Sequence, residues 1–231
     1  MKRIAGALAI AGCGLLPLWA ADAGGAPVQD ESLAYSVNWP SGLSLGEARL
    51  ISHRANDRWY FEMVLDAGVP GFAVSDHFRS IAGLDLCSLE FERETLQGRR
   101  RTLEKTTFDY KKGSARRATV NGGRSETKIP ACVHDALAFV FFARSELGKG
   151  RVPPAQPVFY GSEYQVRVEF GGPQNITYNE KKAKADRVAV SLKGPASDVT
   201  FEIFFALDAA RTPLAVKVPL AIGTVSMELV R

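Results

Sequence analysis

From residue 33 onward, apolar and polar positions alternate with a period of two, interrupted at short intervals by Gly, Pro, Asn and Asp. This is the signature of half-buried antiparallel strands joined by tight turns. Arg58 to Asp66 shows it most clearly, with Trp59, Phe61, Met63 and Leu65 sharing one face. The same reading places strands over 33–39, 45–53, 72–81, 86–96 and 99–110. Further strands follow over 158–160, 163–170, 176–184, 187–192, 199–207, 214–220 and 224–230. Gln97-Gly98 reads as a two-residue turn, which would set Leu96 opposite Arg99, Glu94 opposite Arg101 and Glu90 opposite Lys105. Such a ladder accounts for Arg99-Arg100-Arg101 as a solvated, charge-paired face, with a basic docking patch extending to Lys111, Lys112, Arg116 and Arg117 as the alternative.

The period changes once. Over 133–147 the apolar residues Val133, Leu137, Val140, Phe141 and Leu147 recur at helical spacing, and Ala136, Ala138, Phe139 and Phe142 make the remaining faces apolar. A helix that is apolar nearly all round must be buried. Asp135 in its first turn, Arg144 near its end and Gly148 beyond it suit the helix dipole and stop signals. Arg144 beside so many phenylalanines calls for a buried partner. The predicted fold is therefore mainly β, an antiparallel meander forming an open half-barrel around one buried apolar helix.

The N-terminus is of a different kind. Met1-Lys2-Arg3, an apolar run from Ile4 to Trp19 and the small-x-small Ala21-Asp22-Ala23 read as a secretory signal peptide over 1–23. Residues 24–32 then read as a loose tail and 33–231 as a single β-rich domain. The expected location is outside the cytoplasm, in the periplasm of a bacterial-type envelope. Ile10-Ala11-Gly12-Cys13 resembles a lipobox, so a lipoprotein anchored through Cys13 is the minor alternative. In an oxidising compartment Cys87 and Cys132 form a candidate disulfide closing a loop of about 45 residues, worth about 3–4 kcal/mol in a chain-entropy treatment. The formal net charge of +4 is too weak a basic excess to imply a nucleic-acid partner.

Candidate chemistry is sparse. Asp76-His77 and His134-Asp135, with Ser75 or Ser145 as nucleophile, are the pairs a hydrolase of envelope polymers would use. Neighbours on a strand point to opposite faces, and no nucleophile elbow presents either serine. No catalytic residue, metal ligand or cofactor is therefore assigned, and a non-enzymatic protein is expected. The stronger lead is aromatic. Phe72, Phe78, Phe139, Phe142 and Phe204, with Phe141, Phe201 and Phe205, could face one concavity and hold an apolar, lipid-like molecule. An envelope interaction module with a packed core and a protein partner is the alternative, and the oligomeric state is open.

The segments Tyr35 to Trp39, Leu45 to Ala48, Cys132 to Arg144 with Gly148 to Gly150, and Thr212 to Leu229 together resemble an exported bacterial family known as domain of unknown function 3108. The resemblance spans nearly all of the chain beyond the leader. It implies an open half-barrel around a helical plug, similar to the envelope's lipoprotein carriers, and implies no catalytic residues.

Overall fold

The computed structural model describes residues 28–69, 71–195, 198–220 and 223–230. The proposed leader, Cys13 and the first part of the expected tail lie outside these. Among the described residues there are fifteen strands and one helix. The first eight strands are β1 (Glu31–Asn38), β2 (Ser44–Ala55), β3 (Arg58–Val69), β4 (Phe72–Ala82), β5 (Ser88–Gln97), β6 (Arg100–Asp109), β7 (Ser114–Thr119) and β8 (Arg124–Lys128). A two-residue β9 (His134–Asp135) leads into helix α1 (Ala136–Gly148). The chain returns through β10 (Gln156–Tyr160), β11 (Ser162–Tyr178), β12 (Lys181–Lys193), β13 (Asp198–Ala206), β14 (Pro213–Leu220) and β15 (Gly223–Leu229).

All fifteen strands form one sheet, in the order β8 to β1 followed by β15 to β9. From β1 in mid-sheet the chain meanders out to one edge, crosses to the other edge, and meanders back until β15 pairs antiparallel with β1. The sheet is open, with β8 and β9 at its two edges. Only one described pairing, β9 with β10, is parallel, as the crossover through α1 requires.

Three sequence expectations change. The turn between β5 and β6 is centred on Gly98-Arg99, so Gln97 faces Arg100 and Leu96 faces Arg101. That is a slip of two residues from the expected register. A slip of two keeps every side chain on its face, so the expected ion pairs survive on the diagonal, Arg101 with Glu94 and Lys105 with Glu90, and Lys105 also pairs with Glu92 directly opposite. Strand β11 does not stop at Gly171-Gly172-Pro173 but runs through it with a bulge between Phe170 and Gly172. The tail expected over 24–32 is docked from Val28. The Gln29 carbonyl accepts from the Ser52 hydroxyl at 2.7 Å, Asp30 accepts from the Arg54 backbone at 2.9 Å, and Glu31 opens β1.

Helix α1 divides its apolar surface between two halves of the sheet. Leu137, Ala138 and Phe141 join a core built on β1 to β6, where the Phe141 ring stacks on Phe61 at 4.1 Å between centroids. Phe139, Ala143 and Leu147 join a second core built on β10 to β13. This is why the helix carries no polar face. A third, smaller cluster lies under the far end of the β11–β12 hairpin, where Ile176, Tyr178 and Ala183 cover Phe204, Leu214 and Ala215.

Candidate functional site: an apolar cavity between helix and sheet

The site is framed by the way the helix is anchored at each end. At its N-terminus Asp135 is the N-cap and is fully buried. Its Oδ1 accepts from the backbone of Leu137 at 2.9 Å and Ala138 at 3.1 Å, and its Oδ2 accepts from the hydroxyls of Ser80 and Ser88 at 2.6 Å each. Burial pushes the Asp135 carboxyl up, while these four donors pull the other way. One residue before Ser88 and three before Asp135 stand Cys87 and Cys132, bonded to one another with their Cα atoms 5.2 Å apart. The Ser88 backbone donates to the Val133 carbonyl at 2.9 Å. Disulfide, cap and backbone bond together fasten the start of β5 to the start of the helix.

At the other end Arg144, also buried, forms a bidentate pair with Glu31 of β1, and its Nε donates to the carbonyls of Ala210 at 3.1 Å and Arg211 at 3.2 Å. Glu31 is the carboxylate that the sequence required and could not name. Tyr35 lies beside this pair, and burial raises its phenol. The hydroxyl donates to the Pro213 carbonyl at 3.1 Å.

Between these anchors lies a cavity of ≈ 280 Å³, at the lower edge of the ~300–1,000 Å³ typical of small-molecule sites. One wall is the helix, through Leu137, Phe139, Val140, Ala143 and Leu147. A second is the inward face of β11 to β13, including Val166, Val190, Ile203 and Phe205. The third is Met63, Phe78 and Phe91 from β3 to β5, with Tyr160 and Tyr164 beside it. The surface exposed inside is almost entirely carbon. Such a cavity is poor for water, which needs two to four polar partners.

Of the phenylalanines expected in one concavity, Phe78 and Phe139 line this cavity, as do Phe201 and Phe205. Three do not. Phe204 lies on the opposite face of β13 from Ile203 and Phe205, in the third cluster, with Lys217 Nζ 5.2 Å from its ring centroid. Alternation along a strand forbids Phe204 and Phe205 from sharing a face. Phe142 is turned to His134, their rings stacked at 4.3 Å. Phe72 is half exposed on the β3–β4 turn. Val166, Val188 and Val190, which do line the cavity, were passed over because ordinary core valines carry no distinguishing signal; only their inward parity marked them.

Beyond Phe78 and Tyr160 the inner face turns polar. The Arg93 guanidinium lies 4.5 Å from the centroid of the Tyr160 ring and pairs with Glu104 at 2.8 Å; Glu104 also pairs with Arg117. Asp76 is buried beside them with Oδ1 unpartnered. Desolvation pushes its carboxyl up against the opposing influence of Arg93. The β10–β11 turn closes over this group at Gly161. Its φ is +71°, and a Cβ there would stand 2.6 Å from Glu104 Oε2, so glycine is required.

Neither His77 nor His134 is hydrogen-bonded to a serine among the described residues. His77 pairs with Glu62, and the Ser75 hydroxyl donates to Asp66 at 2.6 Å. His134 is buried, with Nδ1 3.0 Å from Gln156 Oε1, and burial lowers its pKa. Ser145 sits on the far turn of α1, roughly 13 Å along the axis from Ala136 at 1.5 Å per residue, whereas His134 lies in β9 before the helix. Among the described residues there is no cluster of three or more metal-ligating side chains. No described helix is long and apolar enough to cross a membrane.

The family of proteins of unknown function DUF3108 matches residues 34–230, which span the helix and every strand described above except the first three residues of β1. The chain belongs to the DUF3108 family. No curated protein matches the sequence. Among solved structures it is similar to a protein of Parabacteroides distasonis whose crystal structure is named that of a "putative lipoprotein". The two are 7% identical with a TM-score of 0.33, over 88% of this chain and 94% of the other. A likeness of that size carries no argument about function.

Proposed function

We propose that this DUF3108 protein is an exported, non-enzymatic envelope protein that holds an apolar, lipid-like molecule between its helix and its sheet. In this reading the sheet serves as a half-barrel and the helix as an incomplete plug. The observation that carries it is the ≈ 280 Å³ of carbon-lined space left beside α1, since packed interiors rarely leave voids much larger than a water. Export is supported by the leader pattern over 1–23 and by the Cys87–Cys132 bond, which belongs to an oxidising compartment. The non-enzymatic part is supported by the separate partners of His77, His134 and Ser75. A naphthylamine probe that fluoresces only in apolar surroundings tests the reading. Saturable binding displaced by long-chain acyl compounds, and lost in a cavity-filling Ala143→Leu/Val190→Phe variant, is expected. Absence of saturable binding to the unsubstituted protein would overturn it.

A second reading, an interaction module of the envelope, is favoured by one feature. Edge strand β8 is exposed at every residue, and an exposed edge can pair with another chain.

A further inference from the structure

Large apolar side chains stand exposed on the turns at one end of the sheet. Because the chain meanders, the β1–β2, β3–β4, β5–β6 and β14–β15 turns all fall at that end. Leu43 on the first is 62% exposed, Val69 and Phe72 on the second 48% and 50%, and Leu220 at the close of β14 49%. These turns touch their neighbours. A Cβ on Gly98 would meet the Phe72 ring at 3.0 Å, and one on Gly223 would meet Pro40 at 3.0 Å. The apolar tips therefore lie along one end of the sheet, on two pairs of touching turns.

The charges beside them have a sign. Arg99 and Arg100 are exposed on the β5–β6 turn, next to the Phe72 ring. Their neighbour Arg101 is paired with Glu94, whereas Arg99 and Arg100 have no carboxylate partner among the described residues. Asp66, which accepts from Ser75, and Glu47 opposite it on β2 are exposed carboxylates set back along the strands from the turn tips, behind Arg99 and Arg100. Glu163 and Asp198 belong to turns on the other side of the rim.

We propose that this end of the sheet docks on an anionic phospholipid surface. Leu43, Val69, Phe72 and Leu220 enter the boundary between headgroups and acyl chains, and Arg99 and Arg100 lie against lipid phosphates. Single apolar tips on separate turns, flanked by unpaired arginines, suit a deformable anionic interface better than a flat protein face. The cavity walls Tyr164 and Leu192 lie toward the same end of β11 and β12, so docking would turn the cavity toward the bilayer. The docking itself rests on the turn residues alone and stands whether or not the cavity holds a ligand.

Vesicle flotation tests this, using the exported protein purified from cells and shown by mass to carry no acyl chain. The unsubstituted protein is expected to float with phosphatidylglycerol vesicles and much less with phosphatidylcholine vesicles. Leu43→Asp/Phe72→Asp is expected to weaken binding to phosphatidylglycerol at least about tenfold, and Arg99→Glu/Arg100→Glu to abolish the preference for anionic lipid. All these positions are exposed turn residues, and unchanged thermal unfolding of each variant confirms that it folds. No flotation of the unsubstituted protein, or flotation unchanged in both variants, overturns the proposal. So does a dimer in sedimentation that the same substitutions dissolve while vesicles are ignored, since the rim would then be an interface between copies.

Discussion

Replacing Glu31 by leucine should be among the most damaging single changes to this fold, although Glu31 lies near the start of the described chain. Its carboxylate is 9% exposed and the Arg144 guanidinium 6%, so neither charge is relieved by water once the other is gone. Breaking a buried pair by removing one member costs about 3–5 kcal/mol, because the survivor is left uncompensated. Arg144 would keep the Ala210 and Arg211 carbonyls and the face of Phe141, 5.2 Å away, which places Glu31→Leu toward the lower end of that range. Arg144→Met strands the carboxylate instead and should cost a similar amount. The double variant Glu31→Leu/Arg144→Met buries no charge and replaces the pair with apolar groups of similar size, a change that is often close to neutral. The singles should therefore fail to add, with a coupling energy of at least about 2 kcal/mol. Urea unfolding at neutral pH, followed by circular dichroism for the four proteins, measures this directly. Raising the salt from 0.05 to 0.5 M should barely change the coupling, since a buried pair is weakly screened. Additive singles, or a Glu31→Leu cost below about 1 kcal/mol, would refute the view that this pair clamps helix to sheet.

Other consequences can be checked on the same footing. Cys87→Ala/Cys132→Ala should lower unfolding free energy by about 3–4 kcal/mol, and the reductant dithiothreitol should do the same to the parent protein while leaving the variant unchanged. Asp135→Ala removes an N-cap and strands the Ser80 and Ser88 hydroxyls, so a loss of about 2–4 kcal/mol is expected in urea, with Asp135→Asn milder. His134 is held neutral by burial, its folded pKa below the ordinary value. The unfolded chain therefore takes up the proton first, and stability should fall as pH drops below about 6.5. His134→Leu should flatten that part of the pH profile, and an unchanged slope would show that another group carries it.

The strands were legible because period-two alternation is written into residues such as Trp59, Phe61, Met63 and Leu65, and the helix because 133–147 breaks that period. Turn chemistry was less certain. Gly98 supplies the positive φ the β5–β6 turn needs, but whether it comes first or second in the turn shifts the register by two. The faces were indifferent to that shift, which is why Glu94 with Arg101 and Glu90 with Lys105 were foreseen as ion pairs while the register that sets them on the diagonal was not. Placing Phe204 with Phe205 went against the alternation used elsewhere. What the sequence could not carry was long-range: Glu31 and Arg144 are 113 residues apart, and the closing of two meanders through β1 and β15 leaves no local mark. The cavity was foreseen as a possibility, but its walls are plain valines and leucines whose only distinction is where the sheet places them.

The central claim is that the space beside α1 holds an apolar molecule. Native mass spectrometry of the protein purified gently from its own envelope fraction addresses it most directly, with Ala143→Leu/Val190→Phe prepared in parallel. The account predicts extra mass on the unsubstituted protein that is released on denaturation, fragments as a lipid, and is missing from the filled variant. A bare polypeptide mass for both, or the same adduct on both, would contradict it.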